Sequence, residues 1–155
     1  MAPQSQWQLA TVSDLAGRAL ITMAPDATVR EALDRMRAER CGCVLAVEDG
    51  RLVGIFTERD VMTKAFALQD GLGASIGDVM SRDPAVAPKD EPIASAASKM
   101  LAGGYRHMPI VDDGGRPLGV ISVKCMVQYL VDCMPRTIYT ASDDGARYPA
   151  EQAGA

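Results

Sequence analysis

The chain has 155 residues, of which 48% are hydrophobic and 23% are charged, and its formal net charge is −4 at pH 7. This is the composition of a globular protein that can bury a core, so intrinsic disorder is excluded as the default. Because the net charge is negative and the sequence contains no cluster of Lys or Arg, nucleic acid is excluded as an expected partner.

In the first half of the chain, the pattern predicts a short strand at 20–22 and then a helix. Apolar residues recur at helical spacing after Thr28, which forms a capping box with Glu31, a usual helix start. Two short apolar runs separated by turn residues predict a β-hairpin over 43–56. A second helix is predicted from about Glu58.

The second half shows the same elements in the same order. A helix is predicted from Ile93, with Pro92 in its first turn, and a Gly-Gly pair ends it. A hairpin is predicted over 107–121, and a last helix from about Val123. Each half therefore has the pattern of a (β)-α-β-β-α unit, which belongs to the α/β class.

The two halves are copies of one sequence unit. Sliding the chain by 64 residues places Asp14 on Asp78, and identical residues then coincide at many positions with one insertion near Gly115. One copy alone would expose an apolar sheet face, so we expect the two to pack sheet to sheet about a pseudo-twofold axis with a ligand cleft on each side. The predicted units are domain 11–68, domain 75–132 and a C-terminal tail, 133–155, which is expected to pack poorly from about Thr140 to Ala155.

Three segments carry a resemblance to a known family. Residues 54–60 fit the pattern Gly-apolar-apolar-Thr/Ser-x-x-Asp, which closes a cystathionine-β-synthase (CBS) domain, and 78–84 and 106–112 resemble its opening segment and middle strand. Over about 11–132 the chain is similar to a tandem CBS pair of the Bateman-module type. The resemblance implies a pseudo-twofold pair, often dimerised into a disc, that senses adenosine-containing ligands and has no chemistry of its own.

The resemblance also implies roles for the residues that follow each hairpin. Asp60 is expected to hold the ribose hydroxyls and Thr57 to contact the phosphate side, although Thr-x-x-Asp is equally a capping box that only stabilises a helix. In the second copy Ser122 remains, but Cys125 stands where the pattern has Asp. Since a thiol cannot replace a bidentate acceptor, we expect unequal clefts and one nucleotide per chain.

Basic residues are concentrated in the second copy instead. Arg106, His107 and Lys124 are expected to reach the phosphates of a nucleotide held by Asp60, although His107 also fits a structural residue. The opening strand is expected to line an adenine slot. The predicted ligand-binding residues are Ile21, Thr57, Asp60, Arg106, His107, Ser122 and Lys124.

The expected function is a non-catalytic regulatory module that senses AMP, ADP or ATP and requires no cofactor, with S-adenosylmethionine or NAD as other candidate ligands. No enzyme motif such as a Walker loop, a nucleophile triad or metal-ligand spacing is present. The alternative is an interaction scaffold with a degenerate pocket that binds a target protein; Cys125 favours it and Asp60 opposes it. Apolar helix stripes predict a homodimer through Val61, Met62, Phe66, Met126, Val127 and Leu130.

The remaining sequence features concern the location of the protein. Residues 1–9 have neither a basic region nor an apolar run, so they do not predict a signal peptide, and the apolar runs are too short to cross a bilayer. The four cysteines form no C-x-x-C pair, and Cys41-Gly42-Cys43 is interpreted as small apolar packing rather than a metal site. We therefore expect a cytoplasmic protein with reduced thiols and no membrane partner.

Overall fold

The computed structural model describes residues 10–15 and 20–133. The expectations about residues 1–9 and, apart from Cys133, about the C-terminal tail lie outside this part of the chain. The elements follow in the order β1 (Thr22–Met23), α1 (Val29–Glu39), β2 (Cys43–Glu48), β3 (Arg51–Thr57), α2 (Glu58–Thr63), α3 (Ile76–Val79), β4 (Ser81–Arg82), β5 (Ala87–Pro88), α4 (Ile93–Gly103), β6 (His107–Val111), β7 (Pro117–Ser122) and α5 (Val123–Cys133).

Two small sheets carry the repeat. One has the order β1-β2-β3-β4 and the other β5-β6-β7. The antiparallel hairpins are β2–β3 and β6–β7, and in each sheet the preceding strand, β1 or β5, runs parallel to the first strand of the hairpin. Both hairpins contain a register shift, at Ala46/Val47 and at Ile110/Val111. These positions are 64 residues apart, so the duplication extends to a local irregularity of the backbone, and the predicted α/β fold is confirmed.

The helix boundaries follow the capping residues. The Thr28 Oγ1 accepts from the Glu31 backbone N–H at 3.2 Å, and the Glu31 carboxylate accepts from the Thr28 N–H at 2.8 Å, which is the predicted capping box. Helix α1 ends at Arg40 (φ 51°) and α4 at Gly104 (φ 67°), both in the left-handed conformation. Pro92 is the N-cap of α4 rather than part of its first turn.

The two hydrophobic cores exchange their opening segments. Val12, from the start of the first copy, packs into the core of the second with Met108 and Ile121. Reciprocally, Ile76 and Val79, from the start of the second copy, belong to the first core. Matching backbone hydrogen bonds hold each segment: the Val12 N–H donates to the Glu91 carbonyl at 2.9 Å, and the Ile76 N–H to that of Ala27 at 2.8 Å. Neither copy therefore closes its core alone.

The sheets also meet face to face. A third apolar cluster on the first sheet, made of Cys43, Leu45 and Ile55, packs against Val120 of β7. The Leu52 N–H donates to the Gly115 carbonyl at 3.0 Å, which joins the two hairpins directly. This arrangement brings the ends of β3 and β7, where the site residues were predicted, to the junction of the copies.

Helices α2 and α5 lie on the outside of the pair. Val61 is buried in the first core, so its predicted place on an exposed dimer face is wrong: α2 turns this side chain inward. Helix α2 is short, and the chain continues as a 3₁₀ turn over Ala65–Ala67. In the described part of the chain, the helices lack the length and apolar content needed to cross a membrane.

Candidate functional site: two unequal clefts

Two clefts open at the junction of the copies and meet at Gly42 and His107. The first cleft encloses about 310 Å³ and includes Thr57 and Asp60 from the β3–α2 turn. The second encloses about 420 Å³ and includes Ser122 from the β7–α5 turn. Both volumes lie in the range of small-molecule sites.

The first cleft contains a carboxylate with a fixed orientation. Asp60 is buried, and its Oδ2 accepts from the Thr57 backbone N–H at 2.9 Å and from the Thr57 hydroxyl at 2.8 Å. Its Oδ1 is 2.8 Å from the ammonium of Lys64, one helical turn further along. The cap and the ion pair together hold this carboxylate at the start of α2.

Capping alone does not distinguish Asp60 from other acids in the chain. The Asp14 carboxylate accepts from the Thr11 N–H at 2.8 Å, and that of Asp78 accepts from the Ser75 hydroxyl at 3.0 Å, with the same Thr/Ser-x-x-Asp spacing. Both of those acids are exposed and lie outside the two clefts, whereas Asp60 is buried and lines the first. Position, rather than the motif, sets Asp60 apart.

Two basic residues from the second copy join Asp60 in this cleft, as the sequence predicted. Arg106 is exposed and His107 is partly buried, and both line the first and the second cleft. Burial lowers the pKa of the His107 imidazole, and the nearby Glu58 carboxylate acts in the opposite direction. The ring is therefore neutral at pH 7, so it offers a hydrogen bond and no charge.

The structure separates the other predicted residues from this group. Lys124 and Ser122 line the second cleft, because the start of α5 faces the side opposite Asp60. The expected joint site of Asp60 with Lys124 is therefore not formed. Ile21 is buried in the first core and is not among the residues lining either cleft, so the predicted adenine slot at the opening strand is not found there.

Cys125 takes over the capping role of the missing aspartate. The Cys125 N–H donates to the Ser122 hydroxyl at 3.1 Å, and the Ser122 N–H lies 3.0 Å from the Cys125 Sγ. The thiol also donates to the Ser122 carbonyl at 3.0 Å. The second turn thus keeps the shape of the first but offers no carboxylate.

Several residues of the first cleft were missed by sequence reasoning. Arg82 and Asp83 enter it because β4 pairs with β3 beside Thr57. Tyr105 enters it with its ring against Gly103, where a side chain would leave no room for it. Tyr105 could have been predicted from the sequence, because it directly precedes Arg106, which was predicted to line the site.

Two thiols lie where the clefts meet. Cys41 is partly buried and lines the second cleft, and Cys43 is buried at the start of β2. A hydrogen bond from the Cys43 thiol lowers the pKa of Cys41 to about 6. The same bond, with burial, raises the pKa of Cys43. Among the described residues, no group of three or more His, Cys, Asp or Glu could hold a metal ion.

Comparison with known proteins identifies the duplicated unit. A family model, the CBS domain, matches residues 12–66 and 76–132. The chain belongs to the CBS-domain family. An uncharacterised 17.7 kDa protein of Acidianus ambivalens is 30% identical over 122 residues, which are 78% of this chain and 73% of that protein. Inosine-5′-monophosphate dehydrogenase of Methanocaldococcus jannaschii is 35% identical over 106 residues, but the match covers only 20% of that enzyme.

Solved CBS domain pairs share the architecture. One, crystallised with 5′-methylthioadenosine and S-adenosyl-L-methionine, superposes with a TM-score of 0.73 at 27% identity and covers 81% of this chain and 99% of its own. A CBS domain protein from Pyrobaculum aerophilum complexed with AMP gives a TM-score of 0.70 at 24% identity, covering 85% of this chain and 97% of its own. The latter likeness concerns the fold.

Proposed function

We propose that this CBS domain pair is a non-catalytic regulatory module that binds one adenine nucleotide of the AMP, ADP or ATP class in its first cleft. The observation that carries the proposal is the position of one buried carboxylate, Asp60, across the cleft from Arg106 and His107. Solved pairs of the same fold were crystallised with adenosine-containing ligands, which supports this ligand class.

The charges of the first cleft match the two ends of a nucleotide. A ribose diol donates two hydrogen bonds, and the Asp60 carboxylate is an acceptor with about four lone-pair positions. Phosphate oxygens accept, and the guanidinium groups of Arg59, Arg82 and Arg106 are the donors around the same cleft. This cationic content favours AMP, ADP or ATP over S-adenosylmethionine, which has no phosphate.

Lys64 limits access to the ribose acceptor. The Thr57 N–H, the Thr57 hydroxyl and the Lys64 ammonium occupy three of the lone-pair positions of Asp60. A diol needs two, so the exposed Lys64 side chain must turn away from Oδ1 when the nucleotide binds. Because the Lys64 side chain is 44% exposed, water can replace Asp60 around its ammonium, and we expect this movement to cost about 1 kcal/mol.

The test is calorimetry with AMP on Asp60→Ala. A hydrogen bond to a charged group contributes about 1.5–3 kcal/mol, so we expect AMP affinity to fall about tenfold to a hundredfold. Asp78→Ala is the matched control, because the Asp78 carboxylate accepts from the Ser75 hydroxyl at the same spacing but lies outside both clefts. Unchanged AMP affinity in Asp60→Ala, or an equal loss in Asp78→Ala, would contradict the proposal.

Two further measurements separate ligand binding from folding. Asp60→Ala removes a capping box worth about 1 kcal/mol, so thermal unfolding should report only a small loss of stability for this variant. Asp60→Asn keeps the volume and one acceptor oxygen, and it should retain the fold while still losing AMP affinity. Titrations with ADP, ATP, NAD and S-adenosylmethionine on the unchanged protein rank the ligands, and equal affinity for all would exclude phosphate recognition.

A second candidate function, self-association as an interaction scaffold, rests on an exposed apolar face. Met62 and Phe66 are 76% and 75% exposed beside α2, and Val127 and Leu130 are about half exposed on α5. Because α2 and α5 are equivalent helices of the two copies, their exposed apolar side chains are related by the repeat, and a second copy of the chain can cover them. The homodimer proposed here is compatible with nucleotide binding, and it also offers a platform for a target protein.

Light scattering at micromolar concentration tests the dimer. We expect a dimer mass for the unchanged protein and a monomer mass for Phe66→Glu with Leu130→Glu, because two charges would be buried in the interface. Leu101→Glu is the matched control, since Leu101 is 86% exposed but lies on α4 and not on α2 or α5. A monomer mass for the unchanged protein excludes the dimer and leaves the nucleotide proposal intact.

A further inference from the structure

The second cleft differs from the first in the sign of its charge. Arg40, Arg106 and Lys124 line it, and among its described lining residues there is no carboxylate. The first cleft, by contrast, mixes its arginines with the carboxylates of Glu58, Asp60 and Asp83. These three cations outnumber the one acidic group of this concave site, the Cys41 thiol, so the site has a positive potential on a chain whose net charge is −4.

The start of helix α5 adds to this potential. Ser122 and Lys124 line the second cleft at the first turn of this 11-residue helix, so the positive end of the helix dipole faces the same space as the cations. The turn is held by the Cys125 N–H, which donates to the Ser122 hydroxyl at 3.1 Å. The helix dipole and the side chains therefore favour an anion together.

The same cleft lacks an acceptor for a sugar. Cys125 occupies the position at which the first cleft has Asp60, and a thiol cannot accept two hydrogen bonds from a diol. The other walls include the apolar side chains of Leu15, Val120 and Val123. A ligand that is rich in negative charge and has no nucleoside therefore matches the cationic and apolar residues of this cleft better than a nucleotide does.

We infer that the second cleft is a separate anion site for a compact polyphosphate-type ligand without a nucleoside. Arg40 and Lys124 hold the ligand from opposite copies, and Arg106, at the junction, contacts it from the strand side. This inference does not depend on the nucleotide proposal, because the distinguishing residues, Arg40 and Lys124, do not line the first cleft. Arg106 lines both clefts, so occupation of one reduces the charge available to the other.

Calorimetry with inorganic pyrophosphate at fixed ionic strength tests the site. We expect one pyrophosphate per chain, and Lys124→Ala and Arg40→Ala should each weaken binding about fivefold, the effect of one exposed charge at close range. Lys89→Ala is the matched control, since Lys89 is an exposed lysine outside both clefts. Asp60→Ala should leave pyrophosphate affinity unchanged, whatever it does to AMP.

The outcomes are distinct. Equal losses in Lys89→Ala and Lys124→Ala would show nonspecific screening and overturn the site, as would the absence of pyrophosphate binding at millimolar concentration. A gain of pyrophosphate affinity in Asp60→Ala, from which a repelling carboxylate is removed, would place the anion in the first cleft and also overturn the proposal. Lys124 and Arg40 are exposed, so their variants should fold, and Lys124→Glu, which reverses the charge, should weaken binding more than Lys124→Ala.

Discussion

The first and second clefts occupy equivalent places in the two copies, yet they offer a ligand different chemistry. In one, β3 ends at Thr57 and the next helix presents Asp60; in the other, β7 ends at Ser122 and the next helix presents Cys125. In both pairs the backbone N–H of the first residue donates to the side chain of the residue three positions later, at 2.9 Å for Thr57–Asp60 and 3.0 Å for Ser122–Cys125. The duplicated backbone therefore places Asp60 and Cys125 at equivalent positions, while the chemistry of that one side chain decides which ligand each cleft can bind.

The basic residues are not divided between the two clefts in the same way as the turn residues. Arg106 precedes β6 and His107 begins it, at the junction of the copies, and both residues line both clefts. Lys124 lies at the start of α5 and serves only the second cleft. A residue at the pseudo-twofold axis thus couples the clefts, whereas a residue away from the axis distinguishes them, and variants of each kind test the comparison.

The largest effect is expected for Arg106→Ala, which removes the shared cation. AMP affinity should fall about tenfold to a hundredfold, because a charge-assisted hydrogen bond to phosphate is lost, while adenosine affinity should not change. Pyrophosphate should weaken in the same variant. Calorimetry with the three ligands is the measurement, and a loss of adenosine affinity would show that Arg106 supports the fold of the cleft and not the phosphate.

Cys125→Asp should make the clefts more alike. The new carboxylate can accept a diol, so AMP should bind the second cleft at least about tenfold more tightly than before, raising the stoichiometry toward two. Pyrophosphate should weaken, since the variant adds a negative charge to a cationic cleft. Cys125→Asn, which has a similar shape but no charge, is the control, and a second AMP site in that variant would refute the role of the carboxylate.

Cys41 marks the second cleft by its reactivity. With a pKa of about 6, half of this thiol is thiolate at pH 6, and alkylation by iodoacetamide should rise through pH 6 and level off by pH 7. Cys43→Ala removes the hydrogen-bond donor and should return the Cys41 pKa toward 8.5. After allowing for the weaker nucleophilicity of a low-pKa thiolate, we expect about tenfold slower reaction at pH 6. Mass-spectrometric mapping checks this, and equal rates would disprove the thiol pair.

The smallest effect is expected for Lys64→Met, which frees an acceptor position on Asp60 and keeps the apolar stem. AMP affinity should rise by up to about fivefold, because the ribose no longer has to displace the half-exposed Lys64 ammonium, at a cost of about 1 kcal/mol. The second cleft has no such pair among its described residues, so pyrophosphate affinity should stay the same. Weaker AMP binding would mean that Lys64 contacts the ligand instead of competing with it.

Much of the fold was predictable because the duplication supplies the same signals twice. Hairpins over 43–56 and 107–121 follow from short apolar runs with turn residues between them, and the capping box at Thr28 and Glu31 follows from local hydrogen bonding. In the site, Thr57 and Asp60 were predicted with Arg106 and His107, and these four residues line one cleft.

The features that were not predicted depend on which side of the molecule a helix or strand faces. The spacing of residues along the chain does not contain that information. Lys124 was assigned to the wrong cleft, since its side follows from how α5 leaves β7. Ile21 belongs to a core strand, and a core strand and a pocket wall have the same apolar pattern. The exchange of Val12 and Ile76 between the cores was missed because each residue fits its own copy equally well by periodicity.

That exchange makes the pair a covalently tethered version of an intertwined dimer. A chain cut within 69–74 would yield two fragments, each holding the segment that completes the interior of the other, with Val12 on one and Ile76 on the other. We expect such fragments to reassociate and co-purify as a one-to-one complementation pair, and each fragment alone to assemble with itself or to unfold. A single-copy ancestor could have formed the same architecture from two identical chains, with gene fusion later allowing one turn to keep its carboxylate while the other acquired a thiol.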